Sequence, residues 1–251
     1  MKRRSDGRVD PPYFDSVRAR RDARLAAATA PEELRGFVDP FLDGGAAALA
    51  VLQRFPDASV TLASTDEELV TTWEAVRDEP AAVIRSTRRL LEGHGAAQFA
   101  AVRADASLVG AERAARFIYL RGAAAPDARG RPPVDVASAT MGRGDVVFDE
   151  SNLRAVSELI ARSDVAFERS SPFALLPRVQ EEDLVYLDAD SAGAVSAGSR
   201  ELRGLVGAVT ARGGHVLATA ELAGLTAVAD GLWGSGNLRR ALARESAEGR
   251  P

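Results

Sequence analysis

Residues 36–46, Gly-Phe-Val-Asp-Pro-Phe-Leu-Asp-Gly-Gly-Ala, run from an apolar stretch through a proline and two glycines into an alanine-rich segment. Far downstream, Asp183-Leu-Val-Tyr-Leu-Asp-Ala-Asp-Ser191 is a second apolar stretch, this one ending in an acidic tip. Short apolar runs without polar alternation read as strands buried on both faces, the kind that parallel sheets covered by helices contain. A strand that passes through a glycine turn into a helix, with a second strand ending in Asp, is how a doubly wound sheet forms a nucleotide-type pocket at its carboxyl edge. The expected fold is therefore α/β, with a Rossmann-like sheet.

Periodicity sets out the remaining elements. It predicts a helix over 13–30, a strand over 36–42, a turn at Asp43-Gly44-Gly45, a helix over 46–55 and a strand over 58–63. Ser64-Thr-Asp-Glu-Glu68 opens a helix, with negative charge in the first turn where the helix dipole favours it. Helical spacing continues over 81–92 and 107–122, and residues 122–144, rich in Gly and Pro, read as a flap or hairpin. A helix over 150–162 leads to strands over 164–168 and 183–188, a helix over 199–212 and a strand over 214–219. The chain thus divides into a first part of the core (1–76), a helical insert with its flap (77–162) and a second part of the core (163–251).

Composition excludes several chemistries. The 251 residues include no cysteine, which removes disulfides, thiolate catalysis and zinc-thiolate sites. His94 and His215 are the only histidines, too few and too far apart for a histidine metal cluster or a Ser-His-Asp triad, and each reads as a surface or turn residue. No metal site is expected. No run of about eighteen apolar residues exists to span a membrane. The basic start Met1-Lys-Arg-Arg leads into Val-Asp-Pro-Pro rather than an apolar stretch, so it is not a secretory signal, and a cytoplasmic location is expected. Net charge is −4 and Lys2 is the only lysine. Binding a phosphate backbone would need the arginines gathered on one face, and the clusters Arg18-Ala-Arg20-Arg21, Arg85 with Arg88-Arg89, Arg113 with Arg116 and Arg121, and Arg129-Gly-Arg131 read as solvated helix faces.

The order of parts resembles the Dam-type DNA adenine N6-methyltransferases over roughly residues 14 to 220. The resemblance is carried by Asp39-Pro-Phe-x-x-Gly-Gly45, the acidic turn after the second strand, Phe117-Ile-Tyr-Leu120 in the helical insert, and Val185-Tyr-x-Asp188. It implies a class I methyltransferase sheet with a target-recognition-like lobe, S-adenosylmethionine as cofactor, and DNA or a nucleotide as partner. It places Asp39, Pro40, Phe41, Asp43, Gly45 and Ser64 against the cofactor and Asp188, Ala189, Asp190 and Ser191 at the catalytic tip. In the family the tip reads Asp-Pro-Pro-Tyr, its Asp accepting from the adenine amino group and its Tyr stacking on the flipped base.

The chain departs from that pattern at each block. Asp43 stands where the family has a glycine that lets backbone approach the ligand, adding bulk and negative charge. Ser64 stands where a carboxylate holds the cofactor ribose, and a hydroxyl binds more weakly. Asp188 is kept, but Ala189, Asp190 and Ser191 replace the stacking wall, a loss of about 1–3 kcal/mol per base. Asp10-Pro-Pro-Tyr13 spells the missing tetrapeptide before the first strand, where it reads as an extended proline turn at a mobile terminus, or else as a segment that returns Tyr13 to the pocket. The expected function is a catalytically impaired methyltransferase-fold protein binding nucleic acid or a nucleotide-like ligand. The alternatives are an active N-methyltransferase on DNA adenine or a small amine, and an unrelated α/β hydrolase or transferase, for which no Ser-centred elbow or phosphate loop is present.

Overall fold

A computed structural model describes residues 8–13, 17–127, 130, 132–133, 135–144, 146–188 and 200–247. In chain order these form α1 (Val17–Thr29), β1 (Gly36–Asp39), α2 (Ala46–Arg54), β2 (Ser59–Ser64), α3 (Glu67–Asp78) and α4 (Pro80–Glu92). There follow α5 (Ala96–Ala104), α6 (Gly110–Ala123), α7 (Glu150–Ala161), β3 (Val165–Arg169) and β4 (Leu184–Leu187). The chain continues with α8 (Arg200–Ala211), β5 (His215–Ala218), β6 (Thr226–Ala229), β7 (Leu232–Gly234) and α9 (Gly236–Ala247). Two compact units result, residues 21–65 with 163–251, and residues 1–20 with 66–162.

The first unit is the predicted α/β, Rossmann-like sheet. Its strands lie in the order β3-β2-β1-β4-β5-β7-β6. β1 to β5 are mutually parallel, and β7 runs antiparallel to both neighbours. β1 and β4 are buried at every residue, as a strand covered on both faces must be. β1 stops at Asp39 instead of reaching residue 42 because Pro40 has no N–H to give the ladder. Val38, Val185, Leu187, Val216 and Ala218 pack on one face against Leu202, Leu205, Val206 and Val209 of α8 and Leu175 of the short helix Pro172–Arg178. Alternation along the strands then sends Phe37, Tyr186 and His215 to the other face. There the Phe37 and Tyr186 rings stack, with centroids 6.2 Å apart.

The second unit is built around α6, whose residues from Ala114 to Arg121 are all buried. α3 starts cleanly because Asp66 caps it, accepting from the Glu68 and Leu69 N–H groups at 2.9 and 3.3 Å. Buried Arg116 of α6 is neutralised by Glu68 and donates to the carbonyls of Val102 and Arg103 at 2.9 and 2.7 Å. α3 packs on α6 and α7, so the helical unit begins at residue 66 and not at residue 77. The flap closes at its base through an Ala124–Met141 bridge and a Gly142 N–H donated to the Ala123 carbonyl at 2.8 Å.

The N-terminal segment belongs to this unit too. Asn152 accepts from the Asp10 N–H at 3.0 Å and donates to the Asp10 and Pro11 carbonyls. Tyr13 is buried, its ring edge-on to Trp73 and Phe117 with centroids 6.0 and 5.4 Å away, and the Arg121 guanidinium lies 5.2 Å from the ring centre. The expectation of a mobile proline turn is overturned at these residues, since hydrogen bonds and aromatic packing hold both ends of the segment. Of the arginines read as solvated helix faces, Arg116 and Arg121 are instead buried in this unit, while Arg88 pairs with Glu150 and Arg113 with Glu67.

Candidate functional site

The strand order reverses between β1 and β4, and in open α/β sheets ligands bind outside the carboxyl ends of the strands at such a switch point. β1 ends there in Asp39, and Asp188 follows the last residue of β4. Because Val38 and Leu187 face the α8 side, Asp39 and Asp188 both face the other side. Two site residues distant in sequence are thus brought together on one face of neighbouring strands.

Asp39 is buried, 4% exposed, and its Oδ1 accepts from the Phe41 N–H at 3.0 Å in the turn that follows. Burial pushes its carboxyl up to about 7. The Phe41 hydrogen bond opposes that rise, and the negative charges of Asp188 and Asp43 add to it. The chain then passes Pro40, half-buried Phe41 and Asp43 to Gly45, which adopts a left-handed conformation (φ 67°) and starts α2 without a side-chain cap. Glycine takes that conformation without the steric penalty other residues meet. The Leu42 N–H donates to the Ala63 carbonyl at 2.9 Å, which ties the turn to β2. Ser64 closes β2, half-buried, and its carbonyl accepts from the Ser170 N–H at 3.1 Å.

Asp188 is half-buried, and its Oδ1 accepts from the Thr219 hydroxyl at 3.1 Å. Thr219 was not among the residues expected from sequence, although it stands directly after β5 at the tip position equivalent to Asp188. Ala189, Asp190 and Ser191 lie outside the described residues. Three acidic residues therefore converge electrostatically at this edge, and a ligand that is neutral or positive is favoured over one carrying phosphate. An N–H donor suits Asp188. Among the described residues no group of three or more His, Cys, Asp or Glu is placed to hold a metal ion, and no helix is long and apolar enough to cross a membrane.

A buried acid at the opposite, amino edge is structural. Asp183 is buried and accepts from the Gln180 N–H at 2.8 Å, beside Gly36 where a Cβ would come within 1.9 Å of its Oδ1. Burial raises the Asp183 carboxyl and lowers the His215 imidazole; the two residues are joined through the main chain, the backbone N–H of His215 donating to the Asp183 carbonyl at 2.8 Å. His215 is not the surface residue expected, because β5 carries it into the sheet with 4% exposure. His94 does lie in a turn, its Nδ1 3.0 Å from the Tyr119 hydroxyl. No protein-family model matches the chain, and no curated protein matches it.

Proposed function

We propose that the chain is a divergent relative of the Dam-type DNA adenine N6-methyltransferases, a methyltransferase-fold protein that binds a nucleoside-type ligand and has lost methyl transfer to DNA. The observation that carries this reading is the meeting of Asp39 and Asp188 at neighbouring parallel strand tips, on one face, beside the left-handed turn at Gly45. The mostly parallel seven-stranded sheet supports it, as does the helical unit entering between β2 and β3, where the resemblance puts a target-recognition-like lobe. A cytoplasmic setting belongs to the same proposal.

S-adenosylmethionine fits this edge in part. Gly45 takes the left-handed turn a glycine-bearing loop needs, Pro40 and Phe41 belong to that turn, and the carboxylates suit a sulfonium cation. Asp43 and Ser64 oppose tight binding for the reasons of bulk, charge and weak hydrogen bonding already given. The acidic edge also disfavours nucleotide phosphates, so any DNA bound here would be held through a base. Asp188 is the residue that would orient an acceptor nitrogen.

One observation favours the alternative of a working N-methyltransferase: the Thr219 hydroxyl holds the Asp188 carboxylate, the group such an enzyme would need. Calorimetry of the intact chain with S-adenosylmethionine and adenosine, run beside transfer of labelled methyl groups to unmethylated duplex DNA, separates the two. Weak binding without transfer is expected. Submicromolar cofactor affinity, or robust transfer that disappears in Asp188→Ala, would establish the enzyme instead. Failure of the folded protein to bind either ligand would remove the nucleoside site.

A further inference from the structure

β5 ends at Ala218, yet its ladder with β4 continues one residue further, since the Thr219 N–H donates to the Leu187 carbonyl at 3.1 Å. That bond sets Thr219 alongside Asp188, and the Thr219 hydroxyl donates to Asp188 Oδ1. The threonine is only 6% exposed and the acid is half-buried, so the contact between them is largely shielded from solvent. A β-branched side chain is stiff at χ1, which lets the backbone define the direction of the hydroxyl. A hydroxyl bonded to a carboxylate is charge-assisted and stronger than its neutral counterpart.

We propose that Thr219 is a positioning residue for Asp188, holding Oδ1 so that the carboxylate meets the N–H donor of a bound ligand in a single orientation. The ligand half of this inference rests on the nucleoside-site reading above; the positioning half rests on the contact alone. A preoriented acceptor spares the ligand the cost of ordering it, which is how supporting residues raise affinity at a site.

The test uses the intact chain with Thr219→Val, which keeps shape and removes the donor, and Thr219→Ser, which keeps the donor. Carbon-13 NMR titration of the Asp188 carboxyl, assigned against Asp188→Asn, reads the contact without any ligand. The valine variant should bind the Asp188 proton about tenfold more tightly than the unmodified protein, and the serine variant should stay close to the unmodified curve. Calorimetry with adenosine and S-adenosylmethionine should show affinity falling about tenfold in the valine variant and recovering in the serine variant, with all three proteins equally folded by circular dichroism. An unmoved titration in Thr219→Val, or a serine variant no better than valine, overturns the positioning role. If the unmodified protein binds neither ligand while the titration still shifts, the positioning role stands and the nucleoside-site reading falls.

Discussion

The indole N–H of Trp73 donates to the Tyr13 hydroxyl at 3.1 Å within the helical unit. The residue that spells the end of a catalytic tetrapeptide is thereby an anchor, clasped by aromatic edges and an arginine.

Tyr13→Phe removes the acceptor and should destabilise the helical unit by about 1 kcal/mol, whereas Tyr13→Ala should cost about 3–5 kcal/mol by emptying its buried site. Deleting residues 1–13 should cost at least as much as the alanine change. Urea unfolding followed by Trp73 fluorescence in a Trp233→Phe background measures all three. Truncation without loss of stability would show that the segment is dispensable.

Asp39 makes stability depend on pH in an unusual sense. Its carboxyl sits near 7 in the folded chain against 3.8 for the unperturbed group, so the folded state holds a proton that the unfolded state has released. Stability from this residue is full below about pH 4 and declines as pH rises through 7, by at most about 4 kcal/mol. Asp39→Asn keeps an oxygen for the Phe41 N–H without the charge, and should be more stable than the unmodified protein at pH 8 while showing little difference at pH 4. Denaturant midpoints across that range decide the point.

Cofactor affinity should rise when the two departures at the site are reversed. Asp43→Gly together with Ser64→Asp is expected to strengthen S-adenosylmethionine binding by about tenfold or more in calorimetry, equivalent to one charge-assisted hydrogen bond gained and one close charge removed. Asp43→Gly alone should also lower the proton affinity of Asp39, since Asp43 contributes to its rise.

Gly36→Ala should be strongly destabilising, by about 2–4 kcal/mol, because the new Cβ meets the Asp183 carboxylate. Adding Asp183→Ala should recover part of that loss. Independent, additive effects of the two changes in thermal unfolding would show that the glycine serves some other purpose.

The parts of this structure visible in the sequence are those with local causes. The run from β1 through Gly45 into α2 is legible because an uninterrupted apolar strand, a proline stop and a glycine turn each leave their own residues. α7 is legible from its periodicity and α3 from its acidic first turn. α5 is short and weakly amphipathic, and α9 buries only Leu238, so neither carries a clear apolar stripe. The β6–β7 hairpin has strands of four and three residues, too short for alternation to stand out, although Asp230-Gly231, with Gly231 at φ 77°, is the turn signal that marks it. Within the site, Asp39 and Asp188 are named by their strands. Thr219 acts through one hydrogen bond across two strands, and Tyr13 is held by residues 60 and 104 positions away, so no local pattern reports either.

β1 pairs with β4 across an excursion of roughly 150 residues, Phe37 opposite Leu184. During synthesis at about 5–20 residues per second, β1 therefore waits on the order of ten seconds or more for its neighbour to leave the ribosome. Through that interval one side of a strand destined for full burial has no permanent partner, and the edge that will carry Asp39 and Asp188 does not exist. The candidate site is a late product of biogenesis, and the nascent chain's exposure to aggregation or chaperone capture is set by the length of the helical detour more than by the stability of the finished sheet.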